Sequence, residues 1–188
     1  MRPTKRDELV GKALQAFYAN GFHATGMDRL VQVTGISKTS MYKHFRSKDE
    51  LILAVLRLRD AQFRDWLFHR MAELGKTPRG QLLAVFDALA EWCNDPGFRG
   101  CLFVKAACEY QEASDPIHIQ AAAHKALLFH RFRDLAASAG AADPELLARQ
   151  LLILKEGAIV AAQVEGCREA AALAKTAAAT LLDNALAH

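Results

Sequence analysis

No stretch of this chain restricts its possible folds more than Thr25 to Lys48, TGMDRLVQVTGISKTSMYKHFRSK. Its signals come in the order helix, tight turn, short polar helix. Thr25, with Asp28 three residues on, makes a capping-box-like start. Leu30, Val31 and Val33 supply an apolar face, and Gly35 supplies the left-handed residue that ends the first helix. Ile36 is a lone apolar residue placed to plug the angle between two helices. Ser37 caps a second helix whose exposed positions are Lys38, Thr39, Ser40, Tyr42, Lys43 and His44. Met41 and Phe45, at i and i+4, hold that helix to the first. A short helix rich in Lys, Ser, Thr and Tyr, anchored by only two apolar residues, is shaped to offer its other face to DNA.

The rest of the chain is helical in pattern, and no strand signal competes. Thr4 with Asp7 caps a first helix on which Val10, Leu14 and Phe17 recur at i, i+4 and i+7, closed by Asn20-Gly21. Ser47 with Glu50 opens a long helix through Leu51, Val55, Leu58, Phe63 and Leu67 to about Leu74-Gly75. Thr77-Pro78 starts a helix to Asn94 with Leu82, Leu83, Phe86, Leu89 and Ala90 inward, broken by Asp95-Pro96-Gly97. A shorter helix runs from about Gly100 to Gln111. Asp115-Pro116 opens the next, carrying Ile119, Ala123, Leu127 and Leu128 and stopping near Gly140. Asp143-Pro144 opens another through Leu147, Leu151, Leu154, Ile159 and Val160 to Gly166, and the last spans about Arg168 to Ala187. The expected fold class is all-α with about nine helices: a helix-turn-helix domain over residues 1–50, and a helical regulatory and dimerisation domain over residues 51–188.

The segment from about Leu9 to Leu53 resembles the amino-terminal domain of the tetracycline-repressor (TetR) family of bacterial transcription regulators. Gly21, Phe22, Thr25, Gly35, Ile36, Tyr42, Phe45, Lys48 and Leu51 all fall where that family's pattern puts them. The flanking Gly21-Phe22 and Lys48-Leu51 make the match specific, since a bare helix-turn-helix would not place them. Beyond this segment the chain resembles the family in being helical and of the right length. The resemblance implies repression rather than activation, a sign that the residues themselves leave open.

Charge is distributed as a DNA-binding head requires. Of the formal net +3, residues 1–50 contribute nine Lys/Arg against five Asp/Glu, and residues 51–188 fifteen against sixteen. All the positive excess therefore sits in the head, where phosphate attraction needs it. On this reading Thr39, Ser40 and Lys43 reach base edges, with Lys38 and His44 nearby. Tyr42 and Lys48 contact phosphates, and Thr25 adds a phosphate contact from its own cap. For Tyr42 a half-buried packing role is the alternative, and for His44 a plain surface position.

A double-stranded DNA operator, a small-molecule effector and a homodimer are the expected partners. The last helix carries Ala170, Ala171, Leu173, Ala174, Ala177, Ala178, Leu181, Leu182 and Ala185 over more than one face, which asks for a partner on both sides. A four-helix bundle of two helices from each subunit satisfies that, although the same helix could simply cap its own core. Two heads related by a two-fold axis would read a palindrome, and their separation becomes a variable that a ligand can change. Residues 54–165 carry most of the aromatics. Trp66, Phe86, Trp92, Phe98, Phe103, Tyr110 and Phe129 are the candidate pocket lining, each also a plausible core residue.

Four cysteines lack metal-type spacing. Cys101, in Gly100-Cys101-Leu102 after a Pro-Gly break, sits where a helix dipole favours a thiolate; Lys105 at i+4 and Cys108 at i+7 share its surroundings. A Gly-Cys-Leu here also resembles a branch of the family in which some members sense electrophiles or oxidants through such a cysteine. Packing as a small hydrophobe at a tight helix start is the alternative for Cys101. His118, His124 and His130 recur every six residues, so they diverge around a helix and suggest no metal site. Glu156 and Glu165 could meet a cationic ligand or an amine, with solvent exposure the alternative.

No phosphate loop, HExxH or GxSxG is present in the sequence, so neither an enzyme nor a cofactor is expected. No charge-free apolar run approaches eighteen residues and no basic-apolar leader opens the chain, which suggests no membrane association and a cytoplasmic location.

Overall fold

Thr4 starts the first helix as its sequence suggests: its hydroxyl accepts the Asp7 amide at 3.2 Å, and the Asp7 carboxylate accepts the Thr4 amide at 3.0 Å. In the computed structural model, which describes residues 4–186, this opens an all-α fold with nine helices among the described residues. These are α1 Lys5–Asn20, α2 Met27–Thr34, α3 Lys38–His44, α4 Lys48–Leu74, α5 Pro78–Cys93, α6 Leu102–Glu109, α7 Pro116–Ser138, α8 Pro144–Val164 and α9 Ala170–Ala185. The breaks fall where Pro, Gly and the caps put them. Ser37, Ser47, Thr77 and Asp143 each accept an amide of the first turn that follows. The expected end of the last helix at Ala187 lies outside the described residues.

Three expectations are corrected. Thr25 does not cap α2. Gly26 occupies that position in an extended conformation without a side-chain bond, while the fully buried Thr25 donates its hydroxyl to the Gly21 carbonyl at 2.7 Å. On α2 the buried residues are Leu30 and Thr34, and Val33 faces solvent. The inward face of α7 is also a different one. Ile117, Ala121, His124, Leu128, Phe132 and Leu135 are buried, whereas Ile119, Ala123 and Leu127 are exposed. A histidine stands in the middle of the true stripe, so hydrophobicity alone shifted the phase.

The helices form two compact units. Among the described residues, the first runs to Phe63 and adds Cys101–His124; the second takes Arg64–Gly100 and the residues from Lys125 to Leu186. In the first unit α1 packs on α2, and α2 on α3, around Leu9, Phe17, Phe22, Leu30, Met41 and Phe45. In the second, α5, α8 and α9 pack on one another, burying Leu82, Phe86, Leu89, Leu151, Ile159, Ala178 and Leu182. Each fully buried Leu, Ile or Phe side chain contributes on the order of 2 kcal/mol. Lys175 bridges α9 to Asp87 of α5 at 2.7 Å, and Arg79 of α5 reaches Asp183 of α9 at 2.5 Å. No helix of the described residues is long and apolar enough to cross a membrane.

Candidate nucleic-acid interface and regulatory elements

The recognition helix is held by its back and presents its front. Ser37 Oγ accepts the Ser40 amide at 3.2 Å, and Gly35, at φ 69°, closes α2 by donating its amide to Val31 at 3.0 Å. Met41 and Phe45 are buried, and the Arg6 guanidinium lies 4.8 Å above the Phe45 ring. Lys38, Thr39, Tyr42, Lys43 and His44 are exposed, Tyr42 by 48 %, and Ser40 is half-buried. Lys38 Nζ rests 3.1 Å from Asp28 Oδ1 in a pair exposed on both sides, which a phosphate or base edge can displace at little cost. Lys12, which the sequence reading did not single out, donates to the Thr34 carbonyl at 2.8 Å and so ties α1 to the end of α2. The Thr25 side chain points inward and is committed to Gly21.

Lys48 begins α4 and is half-buried. Burial lowers its pKa, while the carboxylates of Asp49 and Glu109 act in the opposite direction. Glu109 is also engaged with the segment that follows α1. Its Oε1 accepts the Phe22 amide at 2.9 Å and its Oε2 the His23 amide at 2.5 Å. Next to it Tyr110 stacks on the His23 ring at 4.8 Å and meets Phe22 edge-on at 6.2 Å. Burial, then the acids Asp49, Glu109 and Asp115, push the Tyr110 hydroxyl up to about 12. Lys105, one turn before Glu109, donates to the Tyr18 carbonyl at 2.9 Å. Nothing in the spacing of α6 announced these long-range bonds, since only the fold brings residues 18–23 to residues 105–110.

Of the thiol set, Cys101 is buried at the position preceding α6, where it makes no side-chain cap, and Cys108 is exposed. Partial burial lowers the pKa of the Arg59 guanidinium, against the opposing influence of Tyr18 and Cys101. Cys93 is pushed up to about 11 by burial, against the pull of Lys155.

Two groups of buried charge lie deeper. His124 Nδ1 lies 2.6 Å from Asp60 Oδ1, and its ring stacks on Phe103 at 3.7 Å. Lys155 of α8 is only 1 % exposed and donates to Glu156 Oε1 at 2.9 Å, an oxygen that Lys125 also reaches at 2.7 Å. Of the two glutamates weighed against solvent, Glu165 is exposed, whereas Glu156 is largely enclosed between two lysines. His118 Nδ1 lies 2.8 Å from the Tyr110 carbonyl, and His130 is exposed beside Phe129.

The aromatic candidates divide among separate places. Phe103 and Tyr110 belong to the first unit, and Trp66, Phe86, Trp92, Phe98 and Phe129 to the second. Trp66, Trp92 and Phe98 gather, with centroids 6.5 and 5.0 Å apart, and are half-exposed. Phe86 is core. Phe129 lines an open cleft of about 420 Å³ with Lys125, Ala126, Arg149, Leu152 and Ile153, and the Arg149 guanidinium lies 4.5 Å above its ring.

Comparison with known proteins covers both parts of the chain. The family model described as bacterial regulatory proteins, tetR family, matches residues 9–55, and that of the tetracyclin repressor-like C-terminal domain matches residues 78–178. The solved structure of SCO4454, a TetR-family transcriptional regulator of Streptomyces coelicolor, superposes with a TM-score of 0.89 at 29 % identity, covering 96 % of this chain and 95 % of that one. The HTH-type transcriptional regulator YjdC of Escherichia coli K12 is 24 % identical over 155 residues, 82 % of this chain and 81 % of that protein. The HTH-type transcriptional repressor KstR2 of Mycolicibacterium smegmatis is 35 % identical over 91 residues, 47 % of this chain and 42 % of its own.

Proposed function

Since the chain belongs to the tetR family of bacterial regulatory proteins, and is therefore a DNA-binding transcriptional regulator, we propose that it is a repressor which binds a palindromic operator as a homodimer and leaves it when a small molecule occupies the helical body. The observation that carries this reading is α3: Met41 and Phe45 are buried while Lys38, Thr39, Tyr42, Lys43 and His44 stand clear of the protein. In the major groove Thr39, Ser40 and Lys43 meet base edges, and Tyr42 and Lys48 meet phosphates. Residues 1–50 carry this recognition, and residues 51–188 carry regulation and dimerisation. Lys38 and His44 flank the readers, and the sequence-based phosphate role of Thr25 falls to its neighbours, because its hydroxyl is held by Gly21.

The dimer forms through α8 and α9. Ile153, Val164 and Leu173 are 71, 76 and 65 % exposed, an apolar surface that a second copy would cover. The body receives the effector at aromatic side chains such as Trp66, Trp92 and Phe98. The protein carries out no catalysis and works in the cytoplasm.

Selection of bound sequences from random duplex DNA tests the proposal. A two-fold symmetric motif is the expected result. Enrichment of no motif by folded protein at moderate salt would end the operator reading.

A second reading starts from the place of Cys101, buried at the residue preceding α6, with Cys108 exposed two turns on. Here the switch is covalent modification of Cys101 by an electrophile, with Lys105 and Cys108 as its neighbours along α6. Loss of operator binding after alkylation, abolished in Cys101→Ser but not in Cys108→Ser, would select it. Equal loss in the Cys101→Ser variant would dismiss it.

A further inference from the structure

The end of α1 is gripped by α6 in a way that matches charge to backbone polarity. The last carbonyls of a helix carry the negative end of its dipole, and there Lys105 Nζ donates to Tyr18 O at 2.9 Å. Just past Asn20 the chain turns through Gly21 at φ 86°, and the next two amides, Phe22 and His23, converge on the Glu109 carboxylate at 2.9 and 2.5 Å. Lys105 and Glu109 stand at i and i+4, on one face of α6. The cation thus meets a carbonyl and the anion meets two amides, one helical turn apart.

The turn is fitted to this grip. A Cβ on Gly21 would come 2.9 Å from Glu109 Oε1, so the glycine serves both the positive φ and the close approach. Charge-assisted bonds to paired amides are among the stronger hydrogen bonds in proteins, and these two lie at the point where the chain leaves α1 for α2 and α3. The direction in which α3 leaves the protein is consequently referred to α6.

We propose that Lys105 and Glu109 are positioning residues for operator binding: their clamp on the α1–α2 turn fixes how α3 is presented, and so fixes the spacing between half-sites that the dimer accepts. The inference rests on the dimeric operator reading. Half-site sequence is read by α3 itself and is independent of the clamp, whereas spacing depends on where each α3 is held.

The experiment is the same selection from random duplex DNA, run on the full chain as wild type, Lys105→Gln, Glu109→Gln, Glu109→Asp and a control, Glu112→Gln, at an exposed position after α6. The wild type and control should return one half-site at one spacing. The clamp variants should return the same half-site over a spread of spacings, with affinity for the wild-type site reduced about tenfold. A single unchanged spacing in folded clamp variants, or loss of the half-site itself, would overturn the proposal. Glu109→Asp keeps the charge but is one methylene shorter. If all three clamp variants fail to fold, the grip is a folding element and the proposal is wrong. If the wild type returns no two-fold motif, the operator reading fails and this inference falls with it.

Discussion

His124 of α7 and Asp60 of α4 form a buried pair, Nδ1 to Oδ1 at 2.6 Å, with the imidazole stacked on Phe103 and edge-on to Phe63 at 5.8 Å. A polar pair in an apolar setting is costly to break and cheap to replace as a whole. Asp60→Ala should therefore destabilise the protein by about 3 kcal/mol, measured by urea denaturation. The double variant Asp60→Leu/His124→Phe should recover much of that loss. A double variant no more stable than Asp60→Ala would show that the pair contributes beyond its own burial.

Acid stability should report Glu156. Burial alone would raise its pKa, but Lys155 and then Lys125 outweigh it and hold the carboxyl at about 2 instead of the ordinary 4.5. A folded-state pKa below the unfolded one contributes stability that is complete above the unfolded value. It is lost as pH falls from about 4.5 towards 2. The full contribution is on the order of 3 kcal/mol. Glu156→Gln should flatten the pH dependence of unfolding between pH 5 and 3; an unchanged slope would remove Glu156 from this role.

Operator affinity should separate readers from phosphate contacts. Lys43→Ala should relax the base preference at its position, at a cost of about 1–3 kcal/mol. Lys48→Ala should weaken binding to all sequences alike and lower the salt slope by about one. A changed base preference in Lys48→Ala would assign that lysine to the readers.

Dimerisation should be sensitive to single charges on the exposed apolar positions of α8 and α9. Ile153→Glu and Leu173→Glu each place a carboxylate at a position that is mostly exposed in the single chain, so neither should change monomer stability by more than about 0.5 kcal/mol. Sedimentation should show the wild type as a dimer and the double variant as a monomer. A double variant that stays dimeric would move the interface elsewhere.

Gly100 is held by backbone geometry and by a neighbour. It adopts φ 78°, and a Cβ there would fall 1.6 Å from Gln163 Oε1. Gly100→Ala should cost about 1–2 kcal/mol from the left-handed conformation alone, and more because Gln163 must move. Adding Gln163→Ala should restore only the second part. Full restoration by that change would mean that φ imposes no penalty.

Local signals were legible in the chain. Thr4, Ser37, Thr77 and Asp143 cap the helices that their spacing suggests, and Gly21 and Gly35 end α1 and α2 in conformations that glycine adopts freely. Such features involve residues three or four positions apart, so sequence order is enough to specify them. Thr25 departs from a capping role because a hydroxyl near a helix start can turn either outward to cap or inward to a carbonyl, and here it bonds Gly21.

The identity of the fold and the exposed face of α3 were thus determined by the sequence itself: periodicity places Met41 and Phe45 on one side and the lysines on the other, whatever else the chain does. Only the tertiary structure decided which polar groups are interior. His124 and Lys155 lie in the interior against their type, Glu156 is largely enclosed, and Lys105 and Glu109 are engaged by residues far away in the chain. Each is fixed by a partner that packing brings from another helix or from its own neighbour: Asp60, Lys125, Tyr18, and the amides of Phe22 and His23. Burying a charge is unfavourable unless its counter-charge or hydrogen-bond donor is already in place. Where helices meet decides that, and residue type alone does not encode it.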